Sequence, residues 1–152
     1  MSLQQQISDD LKTAMKARDK ARTGALRMLL ASLKNAAVAE GKGPQGELSD
    51  DQVVKLVQSE VKRRREAAAA FREGDRIESA EAEEAEATVY EAYLPAQLSD
   101  DELAAIVDAT IAEVGASGPS DMGQVMKAAM PKVQGQADGS RVSAMVKQRL
   151  TG

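Results

Sequence analysis

Leu3, Ile7, Leu11 and Met15 recur at four-residue intervals among polar residues. This single apolar stripe predicts an amphipathic helix over 3–17. A broader stripe, Ala25, Leu26, Leu29, Leu30, Leu33, Ala36 and Ala37, predicts a second helix over about 19–39, with Asp19 as its N-cap. "EGKGPQGE" (40–47) places three glycines and a proline together and reads as a flexible connector. Ser49 with Gln52 forms a capping box, and Asp50 and Asp51 fall at the positive end of the next helix dipole. Val53, Val54, Leu56, Val57, Val61, Ala68 and Phe71 carry that third helix to about residue 73, where Gly74 is expected at the left-handed C-terminal position. A fourth helix is predicted over 76–94, with Ile77, Ala82, Ala85, Val89 and Tyr93 inward and Pro95 closing it.

A second capping box, Ser99 with Glu102, opens a helix bearing Leu103, Ile106, Val107, Ile111 and Val114. "GASGP" (115–119) is a loop, and Ser120 is the expected cap of a helix carrying Met122, Val125, Met126, Ala129 and Met130. Pro131 removes a backbone donor and disfavours the α conformation at Met130, so that helix should kink or end there. Gly135 suits a left-handed turn, Asp138-Gly139 is a turn pair, and Ser140 is the expected cap of a last helix with Val142, Met145, Val146 and Leu150. No segment alternates as a strand. The expected fold is all-α: a hairpin-like N-terminal domain of about four helices (1–95), then a small three-helix tail domain (96–152), with the boundary at Pro95–Leu98.

Composition narrows the chemistry. The chain has neither Cys nor His. Disulfides, thiolate nucleophiles, Cys/His zinc sites and imidazole-based triads are thereby excluded. No metal or cofactor is expected, and no catalytic residue is assigned. The N-terminus shows no long apolar core of a signal peptide and no run approaches the roughly 20 apolar residues of a membrane span, so a cytoplasmic protein without membrane contact is expected. The methionines at 122, 126, 130 and 145 fall at core-facing spacing.

Net charge is −4, but its distribution is uneven. Residues 1–38 carry +4, residues 73–103 carry −10 and residues 120–152 carry +3. Lys62, Arg63, Arg64 and Arg65 form the densest basic cluster and could meet phosphates. Four successive helical residues surround the helix, however, and Glu60 and Glu66 lie within pairing reach. The acidic run Glu81, Glu83, Glu84 and Glu86 reads as a solvated face whose salt partners would lie on the first three helices. No Glu-x-x-His pair accompanies it, as a di-iron bundle would need.

"YLPAQLSDDEL" (93–103) and "DMGQVMKAAMPKVQGQADGSRVSAMVKQRL" (121–150) resemble the GatB/YqeY tail domain, shared by the B subunit of tRNA-dependent amidotransferases and the YqeY family. "LKTAMKARDKARTGALRMLLASLKNA" (11–36) resembles the stand-alone YqeY proteins. The resemblance implies a helical domain followed by a three-helix tail that contacts the body of tRNA. In the amidotransferase, glutamine hydrolysis lies in another subunit, and activation and transamidation lie in a cradle that this chain does not resemble. A similar module is appended to glutaminyl-tRNA synthetase in some bacteria as a tRNA-binding aid. The expectation is a non-catalytic accessory tRNA-binding module. Lys127, Lys132, Arg141, Lys147 and Arg149 would meet phosphates, helped by backbone N–H groups at Gly135 and Gly139. No aromatic residue follows Tyr93, which favours recognition by shape over stacking. Two alternatives stand beside it: docking on a synthetase or amidotransferase subunit through the acidic helix 76–94, and carbon–nitrogen ligase activity, which rests on family association alone. Oligomeric state is left open.

Overall fold

A computed structural model describes residues 1–151. Its elements in chain order are α1 (Leu3–Lys16), α2 (Lys20–Ala39), α3 (Asp50–Glu73), α4 (Ile77–Glu91), α5 (Asp100–Val114), α6 (Met122–Ala129) and α7 (Gly139–Thr151), with 3₁₀ turns at Pro119–Asp121 and Met130–Val133. No strand occurs among the described residues. No helix there is long and apolar enough to cross a membrane. Contacts cluster into two compact units, one spanning Met1–Leu94 and the other starting at Pro95.

The first unit is built on Ile7, Leu26, Leu29, Leu33, Val53, Val57 and Tyr90, all fully buried. The α1 stripe holds through Leu11 and then shifts. Ala14 is buried, whereas Met15 is 48 % exposed. A four-residue step overshoots one helical turn by about 40°, so three steps carry the stripe off the core face. Helix α1 ends in a hydrogen-bond pattern of the Schellman type: Asp19 N–H donates to Ala14 O (3.0 Å) and Arg18 N–H to Met15 O (3.1 Å). The left-handed residue of that motif is Arg18, with φ +58°. At the end of α3 the same role falls to Asp75 (φ +57°) and not to Gly74, whose φ is −86°. An Asp side chain tolerates this region better than most.

Helix α4 presents a different face from the expected one. Ala80, Ala87 and Tyr90 are buried, whereas Ile77 is 40 % exposed and Ala82 and Ala85 lie outside. The helix is also shorter than predicted, ending at Glu91, with a turn before Pro95. The physical reason lies in α3, the helix that α4 packs against. Arg64 there draws Glu83 and Glu86 onto a half-buried flank, which rotates the alanines away. Tyr90 Oη donates to Ala25 O across the core (2.7 Å), and Tyr93 Oη donates to Asp10 Oδ2.

The second unit packs α5, α6 and α7 around Leu103, Val107, Val125, Ala129, Val133, Val142 and Val146. Met122, Met126, Met130 and Met145 lie half-buried against this core, as their spacing predicts. Met130 keeps α-region angles (φ −55°, ψ −44°) in spite of Pro131, and the chain tightens into a 3₁₀ turn where a break was expected. Gly135 takes the left-handed conformation foreseen for it (φ +76°). Two caps differ from the expected ones. Ser120 sits within a 3₁₀ turn and makes no capping bond. Asp138 caps α7 in place of Ser140, its carboxylate accepting from Arg141 N–H (2.9 Å) while the Ser140 hydroxyl donates to the same oxygen (2.5 Å).

Candidate nucleic-acid interface

Eight of the twenty Lys and Arg side chains form ion pairs among the described residues: Lys42, Arg63, Arg64, Arg65, Arg72, Lys132, Arg141 and Arg149. Those pairs decide which cations a polyanion could meet without first displacing a carboxylate. The tail residues divide sharply on this point. Lys132 Nζ donates to Thr110 Oγ1 (3.0 Å) and Glu113 Oε2 (2.7 Å), which fastens the 3₁₀ turn to α5. Arg141 donates to Leu98 O and Asp100 Oδ1, both at 3.0 Å, tying α7 to the start of α5. Arg149 lies 3.4 Å from Asp108. Lys127 and Lys147 are exposed and pair with no carboxylate among the described residues. Gly135 is buried and its carbonyl accepts from Gln97 Nε2 (2.8 Å), so its backbone serves the turn itself; Gly139 is exposed on the first turn of α7. Four of the seven residues are therefore engaged within the fold, while Lys127, Gly139 and Lys147 stay exposed. A groove of about 430 Å³ beside α7 is lined by Arg141 and Arg149 but also by Asp100 and Asp101, so its charge is mixed.

The Lys62–Arg65 cluster is largely committed to ion pairs within the protein. Arg64 is 17 % exposed and touches three carboxylates: Glu60 (3.3 Å), Glu86 (2.9 Å) and Glu83 (3.6 Å). Its guanidinium also lies 5.9 Å from the Tyr90 ring centroid. Burial pushes the Glu86 carboxyl above its ordinary range, with the Glu83 charge adding to the effect and Arg64 opposing it. Arg65 meets Glu91 (2.8 Å), and Arg63 meets Glu60 (3.3 Å). Lys62 alone of the four makes no ion pair among the described residues. Arg72 binds Glu84 through both carboxylate oxygens (2.6 and 2.9 Å), and this hydrogen bond holds Glu84 below the usual carboxylate range. The acidic face of α4 thus finds its partners on α3, as the charge pattern suggests.

The α1–α2 corner is the opposite case. Residues 11–39 hold seven basic residues and one acidic residue, Asp19. The Asp19 carboxylate accepts from Arg22 N–H as the cap of α2 (3.1 Å). Arg22 interacts with Tyr93, whose phenol the nearby Asp10 also holds. Lys12, Lys16, Arg18, Lys20, Arg27 and Lys34 make no ion pair among the described residues, and all six are exposed. Arg18, Lys20 and Arg27 border a groove of about 300 Å³ together with Met15 and Thr23. The sequence reading missed this cluster as a site, although the +4 charge of residues 1–38 was the signal for it.

A profile of the Yqey-like protein family matches residues 4–150 of the chain. The chain belongs to this family. The match spans residues of both compact units. Among curated proteins, none matches.

Proposed function

We propose that this YqeY-family chain is a non-catalytic accessory module that binds tRNA and serves an aminoacyl-tRNA synthetase or a tRNA-dependent amidotransferase. The observation that carries the reading is the set of cations left over once internal pairing is complete. Twelve of the twenty basic side chains stay out of ion pairs among the described residues, in a chain whose net charge is −4. A protein that needed positive charge only for solubility would have no reason to segregate it from its many carboxylates. The resemblance of residues 93–150 to a tRNA-contacting tail supports the choice of RNA. Docking through the acidic helix receives less support, because Glu83, Glu84, Glu86 and Glu91 already face arginines of α3.

Fluorescence anisotropy with labelled bulk tRNA, at low and moderate salt, tests the reading. Saturable binding that is tighter than binding to polyaspartate competitor is expected, together with no aminoacylation or amidation by the chain alone. Binding to tRNA that polyaspartate reproduces would overturn the reading.

A further inference from the structure

We infer that the RNA-contacting surface is the α1–α2 corner, with Arg18, Lys20 and Arg27 receiving backbone phosphates around the Met15–Thr23 groove. The inference rests on the tRNA-binding reading above and moves its site from the tail to the first unit.

Three independent features converge on this corner. The first is electrostatic. The groove is bordered by three cations and no carboxylate, whereas the larger tail groove sets Arg141 and Arg149 against Asp100 and Asp101. Lys12 and Lys16 on the preceding turns of α1 extend the positive surface, and Lys34 lies two heptads beyond Lys20 on α2. Lys20, Arg27 and Lys34 recur every seven residues, so they share one side of the helix over about 21 Å. That length and spacing suit a polyphosphate strand better than a single small anion.

The second feature is backbone strain. Arg18 occupies the left-handed C-terminal position of a Schellman-type helix end. Glycine fills this kind of position at the ends of α2 (Gly41, φ +78°) and α5 (Gly115, φ +69°), and the short side chain of Asp75 fills it at the end of α3. A long β-carbon-bearing side chain is unfavourable there, and nothing in the folding of the corner calls for arginine. Such an outlier points from geometry to function. The left-handed turn places a guanidinium beside the groove that α1 alone could not present.

The third feature is Gly24, in the interior of α2 between Lys20 and Arg27. A Cβ at this exposed position would meet nothing within 4 Å, so packing within the protein does not require glycine. Its bare backbone leaves room for a phosphate-bearing strand to lie close against the helix, and the Thr23 hydroxyl adds a neutral donor at the same place.

The test uses the full chain and labelled bulk tRNA. Three variants are compared with the wild type: Arg18→Glu/Lys20→Glu/Arg27→Glu, Arg18→Gly, and the tail variant Lys127→Glu/Lys147→Glu. The triple variant should keep its helical circular dichroism and lose about tenfold or more in affinity, while the tail variant stays within about twofold. Arg18→Gly is the decisive case. Relief of the strained turn should raise Tm, yet tRNA binding should weaken by about threefold. Loss of affinity in the tail variant with none in the two corner variants would overturn the corner and leave the tRNA reading standing. A wild type that does not bind tRNA would overturn both. Binding to phosphatidylserine vesicles that depends on the corner, with RNA binding unaffected by the same substitutions, would assign the surface to a lipid and overturn the RNA assignment.

Discussion

At the scale of the residue, the two buried tyrosines best show how position overrides identity. Tyr90 is fully buried, and its phenol is pushed up to about 12, chiefly by burial, while the nearby Arg64 charge pulls the other way. Tyr93 is raised as well, first by burial and then by its hydrogen bond to Asp10. The sign of the effect is fixed by linkage. A folded-state value above the ordinary value of 10.0 means that the native state holds its proton where the unfolded chain has lost it. Stability from the Tyr90 phenol is complete below pH 10 and is lost as pH rises toward about 12, and the Tyr93 phenol acts in the same direction. Ultraviolet difference absorbance should therefore show little phenolate at pH 10, then tyrosinate appearing together with the loss of helical circular dichroism. A simple titration centred near pH 10, with the helix intact, would contradict the burial seen here. The sequence placed Tyr93 on an inward face, but it gave Tyr90 no role. The partner of Tyr90, Ala25 O, lies 65 residues away, and no local pattern could disclose it.

At the scale of the element, the α3–α4 pair carries the first unit's densest charge network. Glu60, Glu83 and Glu86 gather about one guanidinium that is 17 % exposed. Three carboxylates without that cation would repel one another in a poorly hydrated space. Arg64→Met, which keeps much of the side-chain length, is expected to cost roughly 2–3 kcal/mol in urea unfolding. Adding Glu86→Gln should recover part of that loss, because it removes the carboxylate that burial already disfavours. Full stability in Arg64→Met would show the network to be incidental. The existence of both helices was legible from their apolar periodicity and, for α3, from the Ser49 box with Gln52. The buried face of α4 was not. Its alanines lie all around the helix, so the apolar pattern is almost symmetric, and pairing with Arg64 breaks the tie. The caps at 120 and 140 failed for a related reason. Ser and Asp lie within two residues of each other at both sites, and which oxygen reaches an N–H depends on the path of the incoming loop.

At the scale of the whole molecule, the proposed binding to a polyanion requires a chain of net charge −4 to segregate its charges. Internal pairing segregates them by retiring arginines of α3 and cations of the second unit against neighbouring carboxylates, which leaves the cations of the α1–α2 corner exposed and outside ion pairs among the described residues. Salt dependence should report this arrangement. Affinity for tRNA is expected to fall with a log–log slope of about −4, and the corner triple variant should flatten that slope to about −1, as the loss of three released counterions would require. A slope unchanged by those substitutions would place the phosphate contacts elsewhere.

Taken alone, the sequence determined the helical class, the positions of most helices, the capping boxes at Ser49 and Ser99 and the family, because each of these is written in local periodicity, local hydrogen-bond chemistry or a contiguous motif. It also excluded imidazole and thiolate chemistry outright. Only the tertiary structure decided which cations are free. Lys132 and Arg141 look available beside their glycine turn, yet they reach Glu113 and Asp100 on a helix that begins more than thirty residues earlier. Arg18 looks like one more charge in a basic segment, yet the turn places it in a left-handed conformation at the mouth of a groove. Charge is a property of the residue, but its availability depends on what the fold brings within about 4 Å of it.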